Sequence, residues 1–239
     1  ILQSAWNSIK LAKMIDSLQP GVVVNNRLRH KYLGHYSTPE QVVPLQARDN
    51  WWEFCFTPGK NWDGKDANVD IKPTHELVRI FGDVLTMGGN CLINVAPNPD
   101  GIIPKPQIKA LTELGHWINQ NQEAIFESEG KIPFGLFNGG LTRKGKDFYL
   151  ISYDNPQKEL VLKGVQADLK SATILGTNEN LKWRYSGGFE EWGKKGWLYI
   201  QLPKEKTQPH ATVVKLVFES DTLQVEMPTN EGTKKVTFK

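Results

Sequence analysis

The side chains most suited to chemistry lie in the first 100 residues. They are Arg27, Glu40, the adjacent pair Trp52-Glu53, and Asn94, with the amides Asn25 and Asn26 beside the arginine and with His30 and His35 in between. One carboxylate in a polar segment, one guanidinium, several aromatic rings and several amides suit a polyol better than a phosphate, because the apolar face of a pyranose stacks on an aromatic ring while its hydroxyls need hydrogen-bonding partners. Glu53 stands out because it falls inside an apolar run, where a carboxylate needs a partner or a task. Arg27 is one available partner for it. Glu40 has a plainer reading too, since Thr-Pro-Glu also begins ordinary helices and turns. Trp62 completes a candidate binding set of Arg27, Trp52, Glu53, Trp62 and Asn94.

Other chemistries lack their residues. Asn138-Gly139-Gly140 leads into an apolar alternation that reads as a strand, unlike a phosphate loop that opens a helix. His30 and His35, five apart in a loop, lack the spacing of metal ligands, and the chain holds no Gly-x-Ser-x-Gly. No cofactor is called for. The 29 Lys and Arg are interspersed with 26 Asp and Glu for a net charge of +3, which argues against a nucleic-acid surface. No apolar run approaches the ~18 residues of a membrane span. Cys55 and Cys91 are too few for a disulfide framework; two packed thiols are expected in preference to one bridge.

The elements that must position these groups follow from periodicity. Ala5, Ile9, Ala12, Ile15 and Leu18 predict an amphipathic helix over 5–18, stopped by Pro20-Gly21. Residues 22–24, three valines, read as a buried parallel strand. A long polar loop from 28 to 50 follows, and loops of that length are often functional. Residues 51–56 form a second strand, and 59–73 a second loop. Thr74 can cap a helix over 75–86, and 91–95 is a third strand. A helix over 107–120 is expected to bury Ile108, Leu111, Leu114, Gly115 and Ile118. Strands alternating with helices imply a parallel sheet. After residue 123 the texture changes to short strands at 148–151, 159–162, 172–175, 197–202, 211–218 and 222–225, an antiparallel sandwich. The expected division is 1–124 and 125–239. A closed eight-stranded barrel takes about 250 residues. Three parallel strands alone would leave an apolar edge, so the sheet is expected to be completed by material upstream of Ile1, with a small open α/β sheet as the other option.

The residues around Glu53 are similar to a family signature. The α-L-fucosidases of glycoside hydrolase family 29 carry Pro-x2-Leu-x3-Lys-Trp-Glu-x-Cys, and here Pro44, Trp52, Glu53 and Cys55 match, with Ala47 in place of Leu and Trp51 in place of Lys. Gly34-His35-Tyr36-Ser37-Thr38-Pro39-Glu40 resembles the family's Gly-Asp-Tyr-x-Thr-Pro-Glu. Gly88-Gly89-Asn90-Cys91-Leu92-Ile93-Asn94 resembles its Gly-Gly-Asn-Leu-Leu-Leu-Asn, and the run from Leu18 to Arg27 resembles the strand before its acid/base loop.

The resemblance implies the C-terminal part of a (β/α)8-like barrel followed by a β-sandwich, and retaining hydrolysis of α-L-fucosyl linkages by two carboxylates. It makes Glu40 the acid/base, Arg27 the cation beside the fucose and the nucleophile, and Trp52 and Glu53 groups that shape the site. The nucleophilic Asp is expected upstream of Ile1, since Asp16 falls inside a helix. The chain alone is then expected to be inactive, and to need the N-terminal half of the barrel as its partner. A fucosylated glycan is the expected ligand, with no nucleic acid and no membrane insertion, and a homo-oligomer is left open. The group suggests a periplasmic, secreted or lysosomal site of action. Two other readings compete: a non-catalytic carbohydrate-binding relative of the hydrolase fold, and a free-standing sandwich that itself contacts glycan.

Overall fold

The computed structural model describes residues 6–28, 34–62, 70–132, 135–153, 158–220 and 222–238. The first portion contains α1 (Ser8–Leu18), β1 (Glu53–Phe56), α2 (Thr74–Thr86), β2 (Asn90–Ile93), α3 (Lys105–Gln120) and the short α4 (Gln122–Ile125). β1 and β2 pair in parallel, with Glu53 opposite Asn90 and Phe56 opposite Ile93.

The long loop proves to be more than a loop. Tyr36 bridges Asn25, Ser37 bridges Trp52 and Glu40 bridges Cys55, all in parallel. Residues 36–40 therefore form an irregular rung between the chain at 25 and β1. The prolines and serine of this stretch hide it from a periodicity search, since the pairing is carried by the backbone. The expected buried strand at 22–24 is corrected as well. It is an extended edge, and Val23 is 68% exposed.

α2 buries Leu77, Val78 and Val84. Pro73 occupies its N-cap position, so the expected cap from Thr74 is not made; the Thr74 hydroxyl instead donates to the Glu113 carboxylate on α3. The turn after α2 needs Gly89, because the Trp52 indole packs so closely on its Cα that a Cβ there would sit 2.4 Å from the ring. α3 begins between Pro104 and Pro106, positions where a missing N–H breaks no helical bond. Its buried face is Gln107, Ala110, Leu114 and Trp117, rotated from the expected one, and Ile108 is exposed. The reason lies across the chain: Trp117 donates its indole N–H to the Ala211 carbonyl at 2.9 Å, so the helix turns its ring toward the second portion.

That second portion holds β3 (Gly140–Lys144), β4 (Asp147–Ser152), β5 (Lys158–Leu162), β6 (Leu169–Ile174), β7 (Glu179–Asn180), β8 (Trp183–Ser186), β9 (Trp197–Leu202), β10 (Thr212–Phe218), β11 (Leu223–Thr229) and β12 (Gly232–Phe238). Strands β3-β4-β10-β6-β7 make one antiparallel sheet and β5-β9-β8 a second, while the β11–β12 hairpin is tied in by a bridge from Val225 to Val165. Phe148, Leu150, Val214, Leu216 and Phe218 point between the sheets, and Tyr149, Ile151, Ala211 and Val213 point to the helices. The five-stranded sheet is thus covered on both sides, which explains why β4 reads as a continuous apolar run and not an alternation. Each such side chain contributes about 1.5–3 kcal/mol on burial.

Candidate functional site

Because side chains alternate across a strand, the register sorts the candidates by face. Trp52, Phe54, Phe56, Cys91 and Ile93 point into the helical layer. Glu53, Cys55, Asn90 and Leu92 point the other way, and Glu40 lies opposite Cys55 on that second face. This face is open: Asn90 is exposed and Leu92 is 48% exposed. The same alternation explains the two thiols. Both are free and half-buried, and they aim at opposite faces, a geometry no disulfide bridges. Burial, and then Glu53, push the Cys91 thiol up to about 12.

Arg27 is fixed by its neighbours before it meets a carboxylate. Its backbone N–H donates to Asn25 Oδ1 at 3.0 Å, and its Nε donates to Thr38 Oγ1 at 2.6 Å. Thr38 is in turn held by Asn26 Oδ1, which accepts from the threonine hydroxyl at 2.9 Å and from its N–H at 3.2 Å. Of the terminal nitrogens, Nη1 donates to Glu40 Oε2 at 2.5 Å and Nη2 to the Thr38 carbonyl at 3.4 Å. Glu40 itself sits where the rung is locked to β1, since Cys55 N–H donates to the Pro39 carbonyl and Gln41 N–H to the Cys55 carbonyl, both at 3.0 Å. Arg27 therefore pairs with Glu40 and not with Glu53. Both partners keep solvent access, with side chains 48% and 38% exposed.

Glu53 and Trp52 border a neighbouring cleft of about 460 Å³, together with Val23, His35, Tyr36, Trp51 and Asn90. Trp52 is 1% exposed, and its indole N–H has no partner among the described residues. Trp51, whose neighbour faces the core, points outward and is 77% exposed. A strand puts only one of two consecutive tryptophans in the core, and that signal marks Trp51 as a ring on the cleft. The sequence reading passed over Trp51, Tyr36 and Asn90. Cys55 links the two groups electrostatically: burial and Glu40 raise its thiol, Arg27 lowers it, and Glu53 raises it further.

Asn94 and Trp62 form a third cluster where β2 exits. Asn94 Nδ2 donates to the Trp62 backbone carbonyl at 3.2 Å, and Trp62 is 38% exposed. The loop behind it is anchored by Lys72, whose ammonium donates to the Thr57 carbonyl at 3.0 Å. His35 uses Nδ1 to accept the Val24 N–H at 3.1 Å, a structural task. His30 lies outside the described residues. No group of three or more His, Cys, Asp or Glu among the described residues is arranged to hold a metal, and no described helix is long and apolar enough to cross a membrane.

Comparison with known proteins agrees in kind. The family profile described as Alpha-L-fucosidase matches residues 1–123. The chain is similar to the alpha-L-fucosidase of Dictyostelium discoideum, 25% identical over 227 residues covering 89% of this chain and 46% of that protein. It is also similar to the tissue alpha-L-fucosidase of Homo sapiens, 26% identical over 83% of this chain and 44% of that protein. Alpha-L-fucosidase isoenzyme 1 from Paenibacillus thiaminolyticus superposes with a TM-score of 0.77 at 27% identity, over 90% of this chain and 54% of that one. The chain thus spans a little under half the length of the curated relatives it matches. With its profile match over more than half of its residues, the chain belongs to the α-L-fucosidase family of glycoside hydrolases.

Proposed function

We propose that this chain supplies the acid/base half of a retaining α-L-fucosidase that hydrolyses terminal α-L-fucosyl linkages of glycans. The observation that carries the reading is the Arg27–Glu40 pair, held on neighbouring parallel runs by the Asn25, Asn26 and Thr38 hydrogen bonds. Residues 1–124 are then the C-terminal portion of a (β/α)8-like barrel, and 125–239 its sandwich. Four parallel runs with α2 and α3 packed on one face, and Leu92, Val23 and Trp51 exposed on or beside the other, suit a sheet that further strands complete. Working groups of such barrels lie at the C-terminal ends of the strands and in the loops beyond.

In this reading Glu40 protonates the departing glycosidic oxygen and then takes a proton from the incoming water, while a second carboxylate about 5–5.5 Å away attacks the anomeric carbon. That nucleophile is an Asp on an upstream strand. The 2.5 Å pairing sets a condition on the cycle. Glu40 must hand over a proton, so the Arg27 guanidinium swings to the nucleophile's carboxylate when that group is present and stabilises its charge. Trp51 walls the fucose side with Trp52 packed behind it in the core, Glu53 and Asn90 meet hydroxyls, and Trp62 with Asn94 borders the leaving group. The chain without the upstream strands is inactive.

The test is hydrolysis of an aryl α-L-fucoside by the longer polypeptide carrying the upstream half, beside Glu40→Ala. Removal of a general acid/base costs about 10²–10⁴-fold in rate. An aryl fucoside with a good leaving group loses less than one with a poor leaving group, because the good leaving group needs no proton. A well-folded longer protein with no turnover would sink the enzyme reading and leave the non-catalytic carbohydrate-binding relative in its place.

A further inference from the structure

On the sandwich, far in sequence from Glu40, a ten-residue connection joins β8 to β9. Its tip is a closed turn: Phe189 and Lys194 exchange backbone hydrogen bonds of 2.9 and 3.1 Å, and Trp192 N–H donates to the Phe189 carbonyl at 3.1 Å. The turn presents aromatic rings outward. Trp192 is 78% exposed, Phe189 49% and Trp197 49%, and the Phe189 and Trp192 rings meet edge to face at 4.9 Å. Beside them is a cleft of about 610 Å³ between Tyr185, Ser186, Gly187, Gly193 and Lys195, within the size range of small-ligand sites.

The loop is pinned at its base. Gln166 accepts the Lys195 N–H at 3.0 Å and donates to its carbonyl at 3.3 Å, and Tyr185 donates its hydroxyl to the Ala167 carbonyl at 2.6 Å. Gly196 lies so close to the Ser186 carbonyl that no side chain fits there. Large rings held in water on an anchored turn have lost the hydrophobic gain that a slight inward fold would give, which marks a surface kept for contact. The lysines next to it are already engaged, while Glu191 on the turn itself is exposed. Lys194 pairs with Glu226, Lys195 with Asp168 at 2.5 Å, and the Lys163 ammonium lies 4.7 Å over the Trp197 ring. A surface with satisfied cations, open ring faces, and hydroxyl and glycine backbone groups alongside fits a neutral polyhydroxylated ligand with an apolar face.

We propose that Trp192, with Phe189 and the Gly187–Gly196 cleft, is an accessory binding site for neutral oligosaccharide, separate from the Arg27–Glu40 centre. The site holds glycan by ring stacking and backbone hydrogen bonds and performs no chemistry.

The experiment is a titration of the whole chain with 2′-fucosyllactose, lactose and a sulfated disaccharide, followed by tryptophan fluorescence and amide NMR shifts. Saturable shifts confined to residues 185–197 with a Kd on the order of 1 mM are expected for the neutral sugars, with about tenfold weakening in Trp192→Ala. The exposed position is expected to leave folding of that variant intact, which circular dichroism checks. Glu40→Ala binds as the parent does, so this result is independent of whether the chain belongs to an active fucosidase. Preference for the sulfated sugar, or shifts equal in the parent and Trp192→Ala, would overturn the proposal. So would sedimentation showing a dimer that Trp192→Ala dissolves without any sugar binding, since the patch would then be a contact between two copies.

Discussion

The five-stranded sheet and the parallel layer of this molecule are covered to different degrees. In the sandwich, β4 and β10 have apolar residues on both faces and partners for both: the β5-β9-β8 sheet on one side, the helices α2, α3 and α4 on the other. In the parallel layer, Trp52, Phe54 and Phe56 are buried at 1% exposure, yet Leu92 on the adjacent strand is 48% exposed and Val23 68%. The candidate chemistry sits on the under-covered sheet. A closed face is filled by hydrophobic contact and has no room for a substrate; an open one can carry carboxylates in water without the cost of burying them. Stability and chemistry are thus divided between the two halves, and the joint between them is where they depend on one another.

The largest effect should come from breaking the closed face. Phe148 is fully buried, with ring neighbours Phe218 at 6.0 Å and Phe238 at 5.8 Å. Phe148→Ala is expected to cost about 3–5 kcal/mol, enough to unfold a marginal domain. Leu92→Ala in the same chain should stay within about 0.5 kcal/mol, as substitutions outside a packed core do. Urea denaturation of both variants measures the contrast. It sharpens further in a longer polypeptide that brings the proposed upstream strands: there Leu92→Ala should cost about 2–5 kcal/mol. An unchanged cost would mean that nothing covers the face.

How much of this was readable beforehand divides along the same line. The apolar runs of β4, β9 and β10 identified themselves, because a strand buried on both faces or alternating cleanly leaves its mark on composition. The β7, β8 and β12 strands did not, being short or polar: β12 is Gly-Thr-Lys-Lys-Val-Thr-Phe and is largely exposed. The face of α3 was misjudged because Trp117 follows Ala211, a residue 94 positions away that no local periodicity contains. The rung at 36–40 was hidden for a related reason, since parallel pairing is specified by backbone partners on distant segments. Arg27 and Glu40 were picked out by type and place, but that they pair with each other depends on Thr38 and Asn26 setting the guanidinium, which only the geometry reveals.

The joint offers a smaller test. Trp117→Phe keeps the apolar ring and its edge contact with Phe81, 6.3 Å between centroids, but removes the donor to the Ala211 carbonyl. Leaving that buried acceptor unpaired should cost about 1–3 kcal/mol. A chain of this size loses about 2–4 °C of Tm per kcal/mol. If the two halves unfold together, a single transition shifts down by that amount; if the joint is weak, the parallel layer melts first and calorimetry separates two steps. An unshifted transition would mean that the contact couples nothing.

The smallest expected effect concerns the polar edge of the same joint. Glu123 accepts a hydrogen bond from the Tyr149 hydroxyl at 3.1 Å and an ion-paired one from Lys215, which also meets Asp147 at 3.2 Å. Burial pushes the Glu123 carboxyl up, but the bonds from Lys215 and Tyr149 outweigh it and leave it lowered. Burial and the adjacent Glu123 carboxylate raise the Tyr149 hydroxyl. Lys215 is raised by Glu123 and Asp147 against its own burial. The signs then fix two windows. Glu123 binds a proton less readily when folded, so its stabilisation is complete above the unfolded value of about 4.3 and is lost as pH falls through its folded value. Tyr149 and Lys215 hold protons more tightly when folded, so their contribution is complete below about pH 10 and is lost as pH climbs beyond it. Partial exposure keeps both effects modest. Glu123→Gln should flatten the acid limb of Tm against pH while leaving Tm between pH 6 and 8 only slightly lower, and Lys215→Met should flatten both limbs. An acid limb of unchanged steepness in Glu123→Gln would assign the loss to other carboxylates, and the joint would then rest on its apolar contacts and the Trp117 bond alone.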